Sequence, residues 1–244
     1  MSSSTDSTST PRGARARARI EVTEAIKDEA RRQLAVDGAA KLSLRAVARE
    51  LGMVSSALYR YFPSRDDLLT ALIIDAYNSL GEAAEAAHDA VADAGPVQRW
   101  TTVCEAVREW ALEHPHEYAL IYGSPVPGYS APQTTVPPAG RVGLLLMRIA
   151  RDAHRGLGVA RTPLPAELRS EAERMAADFA PDLPPEVVAV LVAAWAQLYG
   201  LVGFEVFGQF NRIVEERETF FRHAVAQLAQ SVGLVYRQDG ADPR

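Results

Sequence analysis

At 244 residues and 48% hydrophobic side chains, the chain can form one large domain or two smaller ones around a sizeable core. One cysteine, Cys104, excludes an intrachain disulfide, and with no apolar signal-like run at the N-terminus a reducing cytoplasm is expected. The net charge of −5 argues against a nucleic-acid partner only until it is divided: residues 1–66 hold 12 basic and 8 acidic side chains, residues 67–244 hold 14 and 23, so the positive end can meet phosphate while the acidic remainder stays off it.

Residues 1–19 form a Ser/Thr run followed by Arg12, Arg15, Arg17 and Arg19. They cannot bury apolar surface and are expected to be disordered, either as a basic arm on DNA or as a solvated tail. Residues 20–37 read as a helix with Val22, Ile26, Ala30 and Leu34 on one face and Gly38 at its end. The next stretch, SLRAVARELGMVSSALYRYF (43–62), reads as a helix-turn-helix. Ser43 suits an N-cap, Leu44, Val47, Ala48 and Leu51 share a face, and Gly52 stands where the helix must end. Ser55 or Ser56 caps a second helix with Leu58 and Phe62 inward. Its outward Ser55, Ser56, Tyr59 and Arg60 suit base edges in a major groove, and Val54 suits a thymine methyl.

From Ser64 a long helix carries Leu68, Leu69, Leu72, Ile73, Ala76 and Leu80 inward and reaches toward Asp93, before the break at Gly95-Pro96. Residues 96–114 are helical, with Trp100, Val103, Val107 and Trp110 on one face, and Pro115 opens a short helix to Tyr122. Residues 123–140 are rich in proline and glycine and read as a long irregular loop. Helices follow at 142–157, 166–179, 187–207 and 215–233. The stretch 187–207 is apolar on nearly all sides; it is long enough for a membrane span, and equally suits burial between a subunit core and a second subunit. The latter is the reading adopted, with no membrane partner. No strand is required, so the fold class is all-α.

The segment LSLRAVARELGMVSSALYRYFPSRDDLL resembles the DNA-binding segment of the tetracycline-repressor (TetR) family. It has a serine before the first helix, a small residue and a glycine at the turn, an L-Y-x-Y-F core, a polar-basic corner and paired leucines. HPHEYALIYGSPVPGY also resembles a subgroup of TetR-like C-terminal domains. The resemblance implies an N-terminal three-helix DNA-binding domain and a C-terminal helical bundle for effector binding and dimerisation. The expected organisation is 1–19 arm, 20–66 helix-turn-helix domain, 67–235 effector and dimer domain, and 236–244 tail.

By the same resemblance, Ser43, Arg45, Tyr61 and Arg65 contact phosphate. Trp100, Cys104, Trp110, Tyr118, Tyr122, Met147, Trp195 and Tyr199 lie in the regions that enclose a ligand in similar regulators. The last two long helices pair with their mates: Gly200, Gly203 and Gly208 permit close approach, and Leu201, Phe204, Phe221 and Leu228 fill the seam. The implied function is a homodimeric, effector-released repressor of a palindromic DNA operator, with the effector unspecified. The competing reading is an all-α small-molecule-binding protein or enzyme without operator specificity. No zinc-protease, nucleophile-elbow or phosphate-loop motif occurs, and the five histidines lack metal spacing, so no catalytic residue, metal or cofactor is expected.

Overall fold

The structure, a computed structural model, describes residues 11–156, 158–160 and 163–234. Every regular element among them is helical, as the all-α reading requires. The α-helices are α1 (Pro11–Asp37), α2 (Leu44–Glu50), α3 (Ser55–Leu58), α4 (Arg65–Asp89), α5 (Pro96–Glu113), α6 (Pro115–Tyr122), α7 (Val136–Arg155), α8 (Arg169–Phe179), α9 (Pro185–Val206) and α10 (Arg217–Ser231). They fall into two compact units. The first holds the chain up to Ile73 together with Pro125–Ala131; the second holds Ile74–Ser124 and the chain from Pro132 onward.

In the first unit α1 packs on α2, and α2 on α3. Ile26, Ala30, Val47, Ala48, Leu58, Leu68 and Leu69 are almost wholly buried there. Burying each large aliphatic side chain stabilises by about 1.5–3 kcal/mol, which holds short helices that would not persist alone. The turn after α2 is fixed by backbone bonds: Gly52 N–H donates to the Arg49 carbonyl at 3.1 Å and Met53 N–H to the Ala48 carbonyl at 2.8 Å. This is a Schellman closure, and Gly52 supplies its left-handed residue at φ 64°. An alanine Cβ at Gly52 would meet nothing within 4 Å, so Gly52→Ala isolates the conformational cost. The expected loss is about 1 kcal/mol, read as a lower urea midpoint with an unchanged slope.

Two helix starts differ from the sequence reading. Helix α1 begins at Pro11, ahead of Ile20, so the basic stretch through Arg19 is helical; residues 1–10 lie outside the described residues. The physical reason is composition: apart from Gly13, residues 12–19 alternate arginine and alanine, both strong helix formers, behind a proline suited to a first turn. Helix α7 begins at Val136, inside the stretch read as loop, with Pro137 and Pro138 in its first turn, where their missing N–H groups cost nothing.

In the second unit α5 lies against α6, α7, α9 and α10, and α8 packs on α9. Trp100, Val103, Cys104, Val107, Tyr118, Ile149, Val188, Leu198 and Val202 are fully or almost fully buried in its core. Helix α9 is long and apolar enough to cross a membrane, but Leu191, Ala194, Leu198 and Val202 are committed to that core. The Arg108 guanidinium on α5 donates two bonds to the Glu205 carboxylate on α9, at 2.7 and 2.6 Å, with Glu205 only 8% exposed. That bond keeps Arg108 firmly protonated, against the burial that disfavours its charge.

Candidate functional site

The DNA-reading surface grows out of the caps. The Ser43 hydroxyl accepts from the Ala46 N–H at 3.4 Å and starts α2, while its own N–H donates to Gln33 Oε1 on α1. Ser43 is therefore half-buried and tied to two helices. Helix α3 is one turn long and is capped by Val54, with no side-chain cap from Ser55 or Ser56. The helical bonds continue past it, with Phe62 N–H donating to the Leu58 carbonyl at 3.1 Å. Leu58 and Phe62 point inward at 0% and 7% exposure. Ser55, Ser56, Tyr59 and Arg60 are exposed on the opposite side, with Val54 exposed just ahead of them. Freed from capping duty, both serine hydroxyls are available to base edges.

Around this reader, Arg45 is exposed and Tyr61 is half-buried, with the Arg19 guanidinium 5.5 Å from the Tyr61 ring centre. Arg15 and Arg17 are exposed on the same helix as Arg19. Arg65 departs from the phosphate role expected of it. Its Nε donates to the Leu42 carbonyl at 3.2 Å and its Nη2 to those of Ala39 and Ala40 at 2.8 and 3.2 Å. Its remaining Nη1 lies 3.6 Å from Asp66. Three carbonyls of the turn before α2 thus occupy its donors, and it braces that turn.

The second unit holds an aromatic cluster. The Tyr122 ring stacks on Tyr199 with centroids 4.0 Å apart, Tyr118 lies 5.2 Å from Tyr122, and Trp195 meets Tyr199 edge-on at 5.6 Å. The Tyr118 hydroxyl donates to the Tyr199 carbonyl at 2.9 Å. Tyr77 on α4 completes the group, edge-on to Tyr122 at 5.9 Å. Burial pushes the hydroxyls of Tyr77, Tyr118, Tyr122 and Tyr199 up, so they stay neutral at physiological pH. Trp100 and Cys104 are fully buried on α5, and Met147 is half-buried against the same core. The Trp100 Nε1 is buried with no hydrogen-bond partner among the described residues. Burial, with the Glu105 charge beside it, pushes the Cys104 thiol up and leaves it no thiolate for nucleophilic chemistry. Two expected ligand residues are placed differently. Trp110 is held apart, donating to Ser79 Oγ at 2.9 Å and stacking on His114, and Trp195 is 37% exposed at the edge of the cluster.

The expected dimer seam is partly redrawn. Phe221 and Leu228 are 3% and 7% exposed and belong to their own subunit's core. Gly203 faces the Tyr118 hydroxyl, Gly208 forms the turn after α9 at φ 80°, and Leu201 is half-buried against the core. What α9 leaves open is a stripe of Ala193, Ala196, Gly200, Phe204 and Phe207, spaced three and four apart. Phe204 is 53% and Phe207 44% exposed, and Phe204 continues edge-on through Phe210 to Phe220 on α10, itself 40% exposed.

Comparison with known proteins agrees with this geometry. Residues 26–72 match the family described as bacterial regulatory proteins, tetR family, and residues 100–228 match the tetracyclin repressor-like C-terminal domain. The HTH-type transcriptional regulator Rv1816 of Mycobacterium tuberculosis is 42% identical over 207 residues, covering 82% of this chain and 86% of that protein. The HTH-type transcriptional regulator Mb1846 of Mycobacterium bovis matches to the same extent, 42% over 207 residues. Among solved structures, the regulatory protein SCO4313 superposes with a TM-score of 0.75 at 32% identity, over 91% of this chain and 100% of that one. The TetR family regulator PfmR of Thermus thermophilus shares the fold, with a TM-score of 0.57 at 19% identity over 84% of this chain and 97% of its own. With a buried thiol in place of a nucleophile, and regulators rather than enzymes as its relatives, the chain belongs to the TetR family of transcriptional regulators.

Proposed function

We propose that this regulator is a cytoplasmic homodimer that represses transcription from a palindromic operator and releases it when a small molecule occupies the second unit. The observation that carries the DNA reading is the exposed row Ser55, Ser56, Tyr59 and Arg60 on the far side of buried Leu58 and Phe62. Two such rows in a dimer would read two half-sites. The open stripe of α9 and α10 supports the dimer, since contiguous exposed apolar surface drives association. That assignment also accounts for the apolar length of α9 without a membrane. Neutral tyrosine hydroxyls and an unpartnered Trp100 N–H favour an uncharged, largely apolar effector carrying a hydrogen-bond acceptor.

The test is a titration of the protein against a labelled duplex carrying the inverted repeat nearest its own promoter, with a scrambled duplex as control. Preference for the repeat supports the proposal; equal affinity for both removes it in favour of a non-specific binder or a ligand-binding protein. In the same assay Tyr59→Ala loses about 1–3 kcal/mol on the repeat and little on the scrambled duplex. Arg45→Ala weakens both alike and lowers the salt slope by about one. Tyr59→Ala with full preference would remove the recognition-row assignment.

A further inference from the structure

The stretch between α6 and α7 leaves the second unit, joins the first over Pro125–Ala131, and returns. Its path is tightly specified at every stage. At its start Tyr122, the last residue of α6, stacks on Tyr199. Within it, Val126-Pro127-Gly128-Tyr129 closes a turn, with the Tyr129 N–H donating to the Val126 carbonyl at 3.1 Å. Proline second and glycine third, at φ 76°, is the signature of a rigid type II turn. That turn presents Tyr129, whose hydroxyl shares a 2.9 Å hydrogen bond with Thr70 Oγ1 on the first-unit part of α4. At its end the Thr135 N–H and hydroxyl both donate to the Pro132 carbonyl, at 3.0 and 2.8 Å, and Thr135 is buried. Helix α7 then carries Arg141, which grips the second-unit part of α4 through Asn78 and Glu85.

We infer that residues 123–135 are a strap that couples the aromatic cluster to the DNA-reading unit, with the Tyr129–Thr70 bond as its latch. This inference rests on the reading of the chain as an effector-responsive DNA binder and adds the route. A strap this short, stiffened by Pro127 and pinned at both ends, has little slack. A shift of Tyr122 is therefore passed to Tyr129 and on to Thr70. The coupling is reciprocal, so DNA bound at the reader must be felt at α6.

Reciprocity makes the test independent of the effector. Hydrogen exchange is followed on the full-length wild type, Tyr129→Phe and Thr70→Val, each free and saturated with the inverted-repeat duplex. Tyr129→Phe keeps the ring and removes only the latch. In wild type, the duplex should slow exchange in 43–62 and also, by about threefold or more, in 116–131. In both variants the slowing over 43–62 should persist and that over 116–131 should fall to less than half. Equal slowing over 116–131 in wild type and both variants would overturn the latch, and no slowing there in wild type would overturn the strap. A wild type that binds no repeat-containing duplex would instead remove the operator reading, and the strap with it.

Discussion

Gly200→Arg turns the protein into a monomer and weakens operator binding by about 100-fold or more. The size follows from linkage: a second reader held on the same dimer binds at high effective concentration, and a monomer forfeits that gain without losing any base contact. Gly200 is the informative position because its side of α9 is open within the subunit, with nothing within 4 Å of an added Cβ. Arginine is a better helix former than glycine by nearly about 1 kcal/mol, so the subunit itself should not lose helix. The new charge instead lands among Ala196, Phe204 and Phe207, where a second subunit would have to desolvate it. Sedimentation, circular dichroism and operator titration on the same sample separate the effects. A variant that sediments as a dimer, or one that is monomeric with undiminished operator affinity, would sink the seam.

Glu205→Ala destabilises the subunit by about 3–5 kcal/mol, because it leaves the Arg108 guanidinium largely buried with no carboxylate. In the native protein both Glu205 oxygens accept from Arg108, and the guanidinium also lies 5.6 Å from the Phe221 ring centre. The pair therefore joins α5 to α9 beside α10. Replacing both members, as in Arg108→Met with Glu205→Leu, should recover most of the loss, since a buried ion pair is costly mainly when halved. Urea unfolding at one fixed protein concentration reads this cleanly, because association would otherwise enter the midpoint. A single-variant loss below about 1 kcal/mol would mean that water reaches Arg108 and that the pair is not structural.

The helix-turn-helix was legible because its signals are local. Ser43, Ala48 and Gly52 act within one or two turns of their own positions, and the bonds they imply are those formed. The dimer seam was less legible because helix phase is set by distant neighbours. Phe220 and Phe221 are equally apolar, and only the packing of α10 on α5 turns Phe221 inward and Phe220 outward. Arg65 illustrates another limit: sequence gives its charge, but not the carbonyls of Ala39, Ala40 and Leu42 within its reach. Pro137 and Pro138 read as breakers because a pattern does not say whether a proline stands in a first turn or a middle one. Tyr77 was missed because the apolar stripe of α4 runs through Ala76 and Leu80, and it stands beside that stripe, turned to Tyr122.

Cys104 gives the molecule a built-in reporter. The only thiol in the sequence is wholly shielded within the second unit's core, and burial holds it in its unreactive protonated form. A maleimide added to the native protein must wait for that core to open, so its labelling rate measures an opening equilibrium. For the same reason, a cysteine introduced at exposed Ser55 or Arg45 can carry a spin label while Cys104 stays silent. The distance between two such labels in a dimer then becomes a direct ruler of reader spacing, with no need to remove the native thiol first.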